Sequence, residues 1–147
     1  MDNYKKILVA LDYSQYNDTL LARAVRLASD HGAALHLAHV VEYLPPMAIG
    51  DEPFPSTAWT VNEEQLLQHG REKMQAIAER LSPLDVSQHV LLGAPRHELC
   101  ELAEQQKVDL MVAGSHGRHG ISRLLGSTAS SLVHHTPCDL LLVRISN

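Results

Sequence analysis

Lys5-Lys6-Ile7-Leu8-Val9-Ala10-Leu11-Asp12 begins the chain's ordered pattern, and its core from Ile7 to Leu11 is continuously apolar. A half-exposed strand would alternate. A strand that is apolar on both faces is one covered by helices on both sides, as in a parallel sheet. The next segment fits a crossover helix from about Gln15 to His31. Leu20, Ala24, Leu27 and Ala28 recur at helical spacing, with Leu21 and Val25 beside them. Gly32 supplies the stop.

The alternation then repeats. A second strand is predicted over about Ala34–Val41, a third over about Val86–Leu92, a fourth over Asp109–Ala113 and a fifth over about Asp139–Ile145. Between the second and third strands, Glu42 to Ala58 carries Pro45, Pro46, Pro53 and Pro55, which exclude a regular helix or a central strand. This stretch, with Phe54 inside it and Trp59 at its end, reads as a loop packed onto the domain, the alternative being a mobile flap or partner surface. Thr60 to Leu81 reads as the longest helix. Thr60-Val61-Asn62-Glu63 fits a capping box, and Leu66, Gly70, Met74, Ile77 and Leu81 form its inner stripe. Pro95 opens another helix, running to about Gln106, with Leu99, Leu102 and Ala103 inward. A last helix is expected from Ser127, ending before Pro137.

Five strands and four crossovers imply a three-layer α/β/α, doubly wound, mostly parallel sheet. The first and fourth strands are uniformly apolar and so central. The third carries Ser87, Gln88 and His89 and suits an edge. The order 3-2-1-4-5 satisfies both, with a topological switch point between strands one and four. Ligands in open α/β sheets bind beyond the carboxyl ends of the strands at such a point, where Asp12 and Gly114 flank the crevice. The fifth strand then falls on the other edge. Leu140-Leu141-Leu142-Val143 is wholly apolar, and an exposed edge of that kind invites association. A symmetry mate in a homodimer is the simplest cover, and the chain's own loops are the alternative.

The 147 residues match one typical domain, able to bury roughly 70% of its unfolded surface without a disulfide or metal. No apolar run approaches a membrane span, and the apolar run after the N-terminus is too short for a signal peptide. A net charge of −5 argues against nucleic acid as a partner. Cys100 and Cys138, outside any CxxC, read as reduced, buried and small.

The segment Gly114-Ser115-His116-Gly117-Arg118-His119-Gly120-Ile121-Ser122-Arg123-Leu124-Leu125-Gly126-Ser127-Thr128 carries the chemistry. Glycines after a buried strand let backbone amides approach a ligand, and Gly126-Ser127-Thr128 at a helix start suits a phosphate. Arg118 and Arg123 add cationic side chains. A plain turn and a serine helix cap would need the same residues. The GxxGxxG spacing is neither a P-loop nor the dinucleotide GxGxxG, and GxSxG is absent.

At this point the chain resembles the universal stress protein family, in its bacterial single-domain form, over residues 1–147. The resemblance rests on Tyr4-Lys5-Lys6-Ile7-Leu8-Val9-Ala10-Leu11-Asp12-Tyr13-Ser14, Leu37-Ala38-His39-Val40 and Gly93-Ala94-Pro95. It rests also on Asp109-Leu110-Met111-Val112-Ala113-Gly114-Ser115-His116-Gly117 and Thr136-Pro137-Cys138-Asp139-Leu140-Leu141-Leu142-Val143. It implies a Rossmann-like fold of the adenine-nucleotide alpha-hydrolase type and a cytoplasmic homodimer joined through strand 139–145. It implies, too, a stress-response role as a sensor or regulator binding ATP, with Mg2+ as its accompanying ion; the alternative is an interaction module of the same fold that binds no nucleotide, in which the glycine turn serves packing.

By the same resemblance, Ala10 and Asp12 line the base and ribose side, and Val40 meets the adenine through its main chain. Ala113, Gly114 and Gly117 hold the ribose and first phosphates; the cationic Arg118, read from its charge rather than from the resemblance, joins them as a nucleotide-binding candidate. Gly126, Ser127 and Thr128 hold the outer phosphates. One departure stands out: eight residues, Arg118 to Leu125, separate Gly117 from Gly126, one fewer than the family's nucleotide signature. Asp12 also has a local reading, as a turn or cap residue at a strand end.

No catalytic constellation is visible. Ser115 beside His116 cannot form a triad by adjacency, so at most slow ATP hydrolysis is expected. A histidine metal site is not expected either. His36 and His39 fall on opposite faces of a regular strand, and His134-His135 suit a helix C-terminus.

Overall fold

In the computed structural model, residues 3–42, 56–115 and 129–144 are described. The order is β1 (Lys6–Leu11), α1 (Asn17–His31), β2 (Ala34–Glu42), α2 (Ser56–Arg80), β3 (Val86–Gly93), α3 (Pro95–Gln105), β4 (Leu110–Gly114), α4 (Ala129–His135) and β5 (Asp139–Val143). The five strands form one sheet in the order β3-β2-β1-β4-β5, every neighbouring pair parallel. This is the expected doubly wound arrangement. β1, with β2 and β4 on either side, is apolar because both its faces are covered.

Two buried clusters sandwich the sheet. Ile7, Val9, Leu35, Leu37 and Val112 pack with Leu20, Leu21, Ala24 and Ala28 of α1 and with Met74 and Ile77 of α2. Leu8, Ala38 and Met111 point the other way, onto Leu99, Leu102 and Ala103 of α3 and Leu132 of α4. Alternate residues of each strand thus feed opposite layers, which a strand's two-residue side-chain period requires.

Several expectations need correction. α2 starts at Ser56, so the end of the proline-rich stretch is helical and Thr60–Glu63 lies inside the helix rather than capping it. A helix starts readily just after a proline such as Pro55, because proline is excluded from helix interiors and not from their entrances. Leu66 is 49% exposed and leaves the inner stripe, which begins at Gly70. Cys100 and Cys138 are free thiols but half-buried rather than buried. Burial, the largest influence on each, pushes both thiols above their ordinary range. β5 ends at Val143, short of the expected Ile145, and the helix expected from Ser127 is described from Ala129. The packing expected of the segment around Pro45–Pro55, and of Phe54, falls outside the described residues.

Candidate functional site

β1 and β4 share only three paired positions, Ile7↔Leu110, Leu8↔Met111 and Val9↔Val112. Both strands then continue for two residues without a rung between them. On the outer sides pairing persists to the ends, to Leu11↔His39 in β2 and Gly114↔Val143 in β5. The sheet therefore parts at its carboxyl edge between Ala10-Leu11 and Ala113-Gly114. This is the switch point, because the chain leaves β1 toward one face and β4 toward the other.

The turn leaving β1 is tightly held. Asp12 Oδ1 accepts the Ser14 amide at 3.0 Å, an Asx-type turn. Tyr13 sits at φ 60°, which residues other than glycine, asparagine and aspartate seldom adopt. With its amide oriented as its partners require, an acidic oxygen on one side and a backbone N–H on the other, the Asn17 carboxamide closes the turn, its nitrogen donating to Asp12 Oδ1 at 3.1 Å and its oxygen accepting the Tyr13 amide at 2.8 Å. Only 7% of Asn17 is exposed. Its place in the first turn of α1 puts it in line with Leu20, Leu21, Ala24 and Ala28, on the helix's inner stripe.

Tyr13 reaches away from the turn to the α2 layer. Its ring stacks on His39 with centroids 3.8 Å apart, and its hydroxyl donates to the Gly70 carbonyl at 2.8 Å. Lys73 Nζ lies 5.7 Å from the ring centroid, within cation–π range. Burial drives the Tyr13 phenol well above its ordinary pKa, so it stays a donor. His39 Nδ1 lies 2.8 Å from the Leu11 carbonyl, and since a carbonyl only accepts, that nitrogen carries the proton. Gly70 allows this closeness: a Cβ there would stand 3.1 Å from Val90 Cγ1 and 3.8 Å from His39 Cδ2.

Of the residues expected at the site, the structure brings Ala10, Asp12, Ala113 and Gly114 to the parted strand ends, with Val40 one strand over on β2. Ala10 and Val40 pack toward the α3 layer, and Ala113 is buried. Gly117, Arg118, Gly126, Ser127 and Thr128 lie outside the described residues, as do His116 and His119. Sequence reasoning missed Asn17 and Tyr13. Asn17 did leave a signal, a carboxamide on an otherwise apolar helical stripe. Tyr13 left none, because a positive φ in a tyrosine is not written in residue type.

His36 and His39 do face opposite layers, as expected. On the α3 side His36 Nδ1 meets His89 Nε2 at 3.1 Å. The rings lie within 12° of parallel and their centroids are 5.3 Å apart, so they meet edge to edge through one shared proton rather than face to face. Burial, foremost, pushes both pKa values below the ordinary histidine range. Among the described residues, His97, Glu98 and Glu101 are the one grouping of three metal-ligating side chains, with their ligand atoms within 4.8 Å of one another. They sit on α3, which starts from β3 rather than from the switch point, and His97 and Glu101 are exposed.

The universal stress protein family model matches residues 3–144. The chain belongs to the universal stress protein family. It is 40% identical over 146 residues to universal stress protein A homolog 2 of Coxiella burnetii, covering 99% of this chain and 98% of that one. Homolog 1 of the same organism is 35% identical over 142 residues, covering 96% of each chain. Among solved structures, the universal stress protein UspA from Lactobacillus plantarum superposes with a TM-score of 0.77 at 26% identity, over 97% of this chain and 99% of that one. A universal stress protein solved in complex with cAMP superposes with a TM-score of 0.61, also at 26% identity, over 96% and 97%. The described residues thus share the universal stress protein fold. Among the described residues, no helix is long and apolar enough to cross a membrane.

Proposed function

We propose that this chain is a single-domain universal stress protein that binds an adenine nucleotide, ATP foremost, at the parted carboxyl ends of β1 and β4. It works as a cytoplasmic stress-response sensor or regulator rather than an efficient enzyme. The observation that carries the reading is the early end of the β1–β4 ladder at Val9↔Val112, with the Asp12 carboxylate fixed beside the opening. A carboxylate held by its own turn suits the hydroxyls of a ribose, and exposed main chain at strand ends suits the edge of a base. The similar fold solved with cAMP supports an adenine nucleotide as the ligand class. On this reading Ala10 and Val40 line the base, Ala113 and Gly114 the ribose, and the stretch with Gly117, Arg118, Gly126, Ser127 and Thr128 takes the phosphates, with Mg2+ accompanying them.

Equilibrium dialysis against ATP and cAMP tests the proposal. Saturable retention of one mole per chain supports it, and no retention at millimolar nucleotide overturns it. Product formation from ATP over hours at stoichiometric protein separates slow hydrolysis from binding alone.

A homodimer through β5 belongs to the same proposal. β5 is the last strand of the sheet, and Leu140, Leu141 and Leu142 on it are only half-buried within one chain. A second copy pairing along that edge would complete their burial.

A further inference from the structure

We propose that Asn17 is a positioning residue for the nucleotide pocket: it fixes the carboxylate of Asp12, and through Asp12 the affinity for ligand. The inference rests on the reading that the β1–β4 opening binds nucleotide. Asn17 is the first residue of α1, one position past the cap residue Tyr16, with the helix's free amides ahead of it. Asn17 turns back instead. Its nitrogen donates to Asp12 Oδ1 at 3.1 Å and its oxygen receives the Tyr13 amide at 2.8 Å, so both ends of the carboxamide serve the turn that ends β1. Tyr16, the residue before the helix, makes no side-chain cap. The site is 7% exposed on a stripe where leucine or alanine would pack more cheaply.

A buried amide is tolerated when its nitrogen and oxygen are both hydrogen-bonded, as they are here to the two residues beside the opening. Together with the Ser14 amide at 3.0 Å, Asn17 gives Asp12 Oδ1 two donors, which hold that oxygen in place before any ligand arrives. A carboxylate oriented in advance loses less freedom on binding.

The test uses the full chain, with ATP as probe, titrated calorimetrically at pH 8 and pH 5. Wild type is compared with Asn17→Asp and Asn17→Ala, each verified as folded by circular dichroism. Tyr13, Tyr16, Asp18 with its partner Arg80, His39 and Lys73 are the other titratable and charged groups near the turn, and wild type at each pH accounts for them. Asn17→Asp keeps the shape but sets a second carboxylate against Asp12. At pH 8 it is expected to weaken ATP at least about tenfold, because the donor has become a like charge. At pH 5 a proton shared by the two carboxyls restores the hydrogen bond, and most of the affinity returns. Asn17→Ala weakens binding at both pH values.

Equal weakening of Asn17→Asp at the two pH values would mark a merely structural residue and overturn the proposal. So would wild-type affinity in both variants. If wild type itself binds no ATP, the nucleotide reading fails on its own, and amide exchange in the free protein decides the positioning claim. Asn17→Ala is then expected to speed exchange at Tyr13 and Ser14 at least about tenfold while leaving Leu20–Leu27 unchanged. Unchanged protection at Tyr13 and Ser14 overturns it.

Discussion

Replacing Tyr13 separates three contributions that the structure superimposes at one residue. Tyr13→Phe removes only the hydroxyl that donates to the Gly70 carbonyl at 2.8 Å. One hydrogen bond in a half-buried setting contributes about 1 kcal/mol, or roughly 2–5 °C in melting temperature for a domain of this length. Tyr13→Ala also removes the ring that stacks on His39 at 3.8 Å, for a total loss of about 2–3 kcal/mol at a half-buried aromatic. Tyr13→Gly loses the same contacts but sits at φ 60° without strain, so it should be about 1 kcal/mol more stable than the alanine variant. The expected order is therefore wild type, Phe, Gly, Ala. Urea unfolding with a common m-value measures it. An alanine variant as stable as the glycine variant would refute the backbone part. A phenylalanine variant indistinguishable from wild type would refute the tie to α2.

Further outcomes follow from other sites. Gly93 has φ +147°, and a Cβ there would lie 2.8 Å from Glu98 Oε1, so Gly93→Ala should cost about 1–3 kcal/mol. Most of that loss should persist when Glu98 is also truncated to alanine, because the backbone strain remains; full recovery in urea unfolding would disprove the strain. The His36–His89 pair, with Lys6 as the nearby cation on the same face, predicts a pH dependence of stability. Both folded-state pKa values are lowered, so the unfolded chain binds more protons below about pH 6.5. Stability from the pair is present above that pH and declines as pH falls toward the folded-state values. A His36→Asn/His89→Asn double variant should lose less stability between pH 7 and pH 5 than wild type, and parallel urea midpoints would contradict this. Finally, Leu141→Glu on β5 should shift the molecular mass from two chains to one in light scattering, whereas a wild type already monomeric would exclude the proposed dimer.

Much of the architecture was legible because it follows from burial on two faces at once. The run Ile7–Leu11 identified a central strand, and Ser87-Gln88-His89 identified an edge, and these two placements with right-handed crossovers nearly exhaust the possible orders. The start of α2 was misjudged because four prolines argue against a helix without saying where it begins again. Leu66 was misassigned because periodicity gives a stripe's direction but not where along the helix the sheet beneath it ends. Topology alone placed Asp12 and Gly114 at the strand ends that the structure shows parted. Asn17 and Tyr13 were missed, because their roles depend on a carboxamide turning backward and on a left-handed backbone, and both are tertiary choices.

Seen mechanically, the sheet is two blades. β3, β2 and β1 are laced together along nearly their full lengths, eight rungs between β2 and β3 and six between β1 and β2. β4 and β5 form the second blade, joined to the first by three rungs. That seam has the fewest rungs in the sheet, and it opens like a V at one end. Anything wedged into the V acts with leverage on the outer blade, whose far rim is β5.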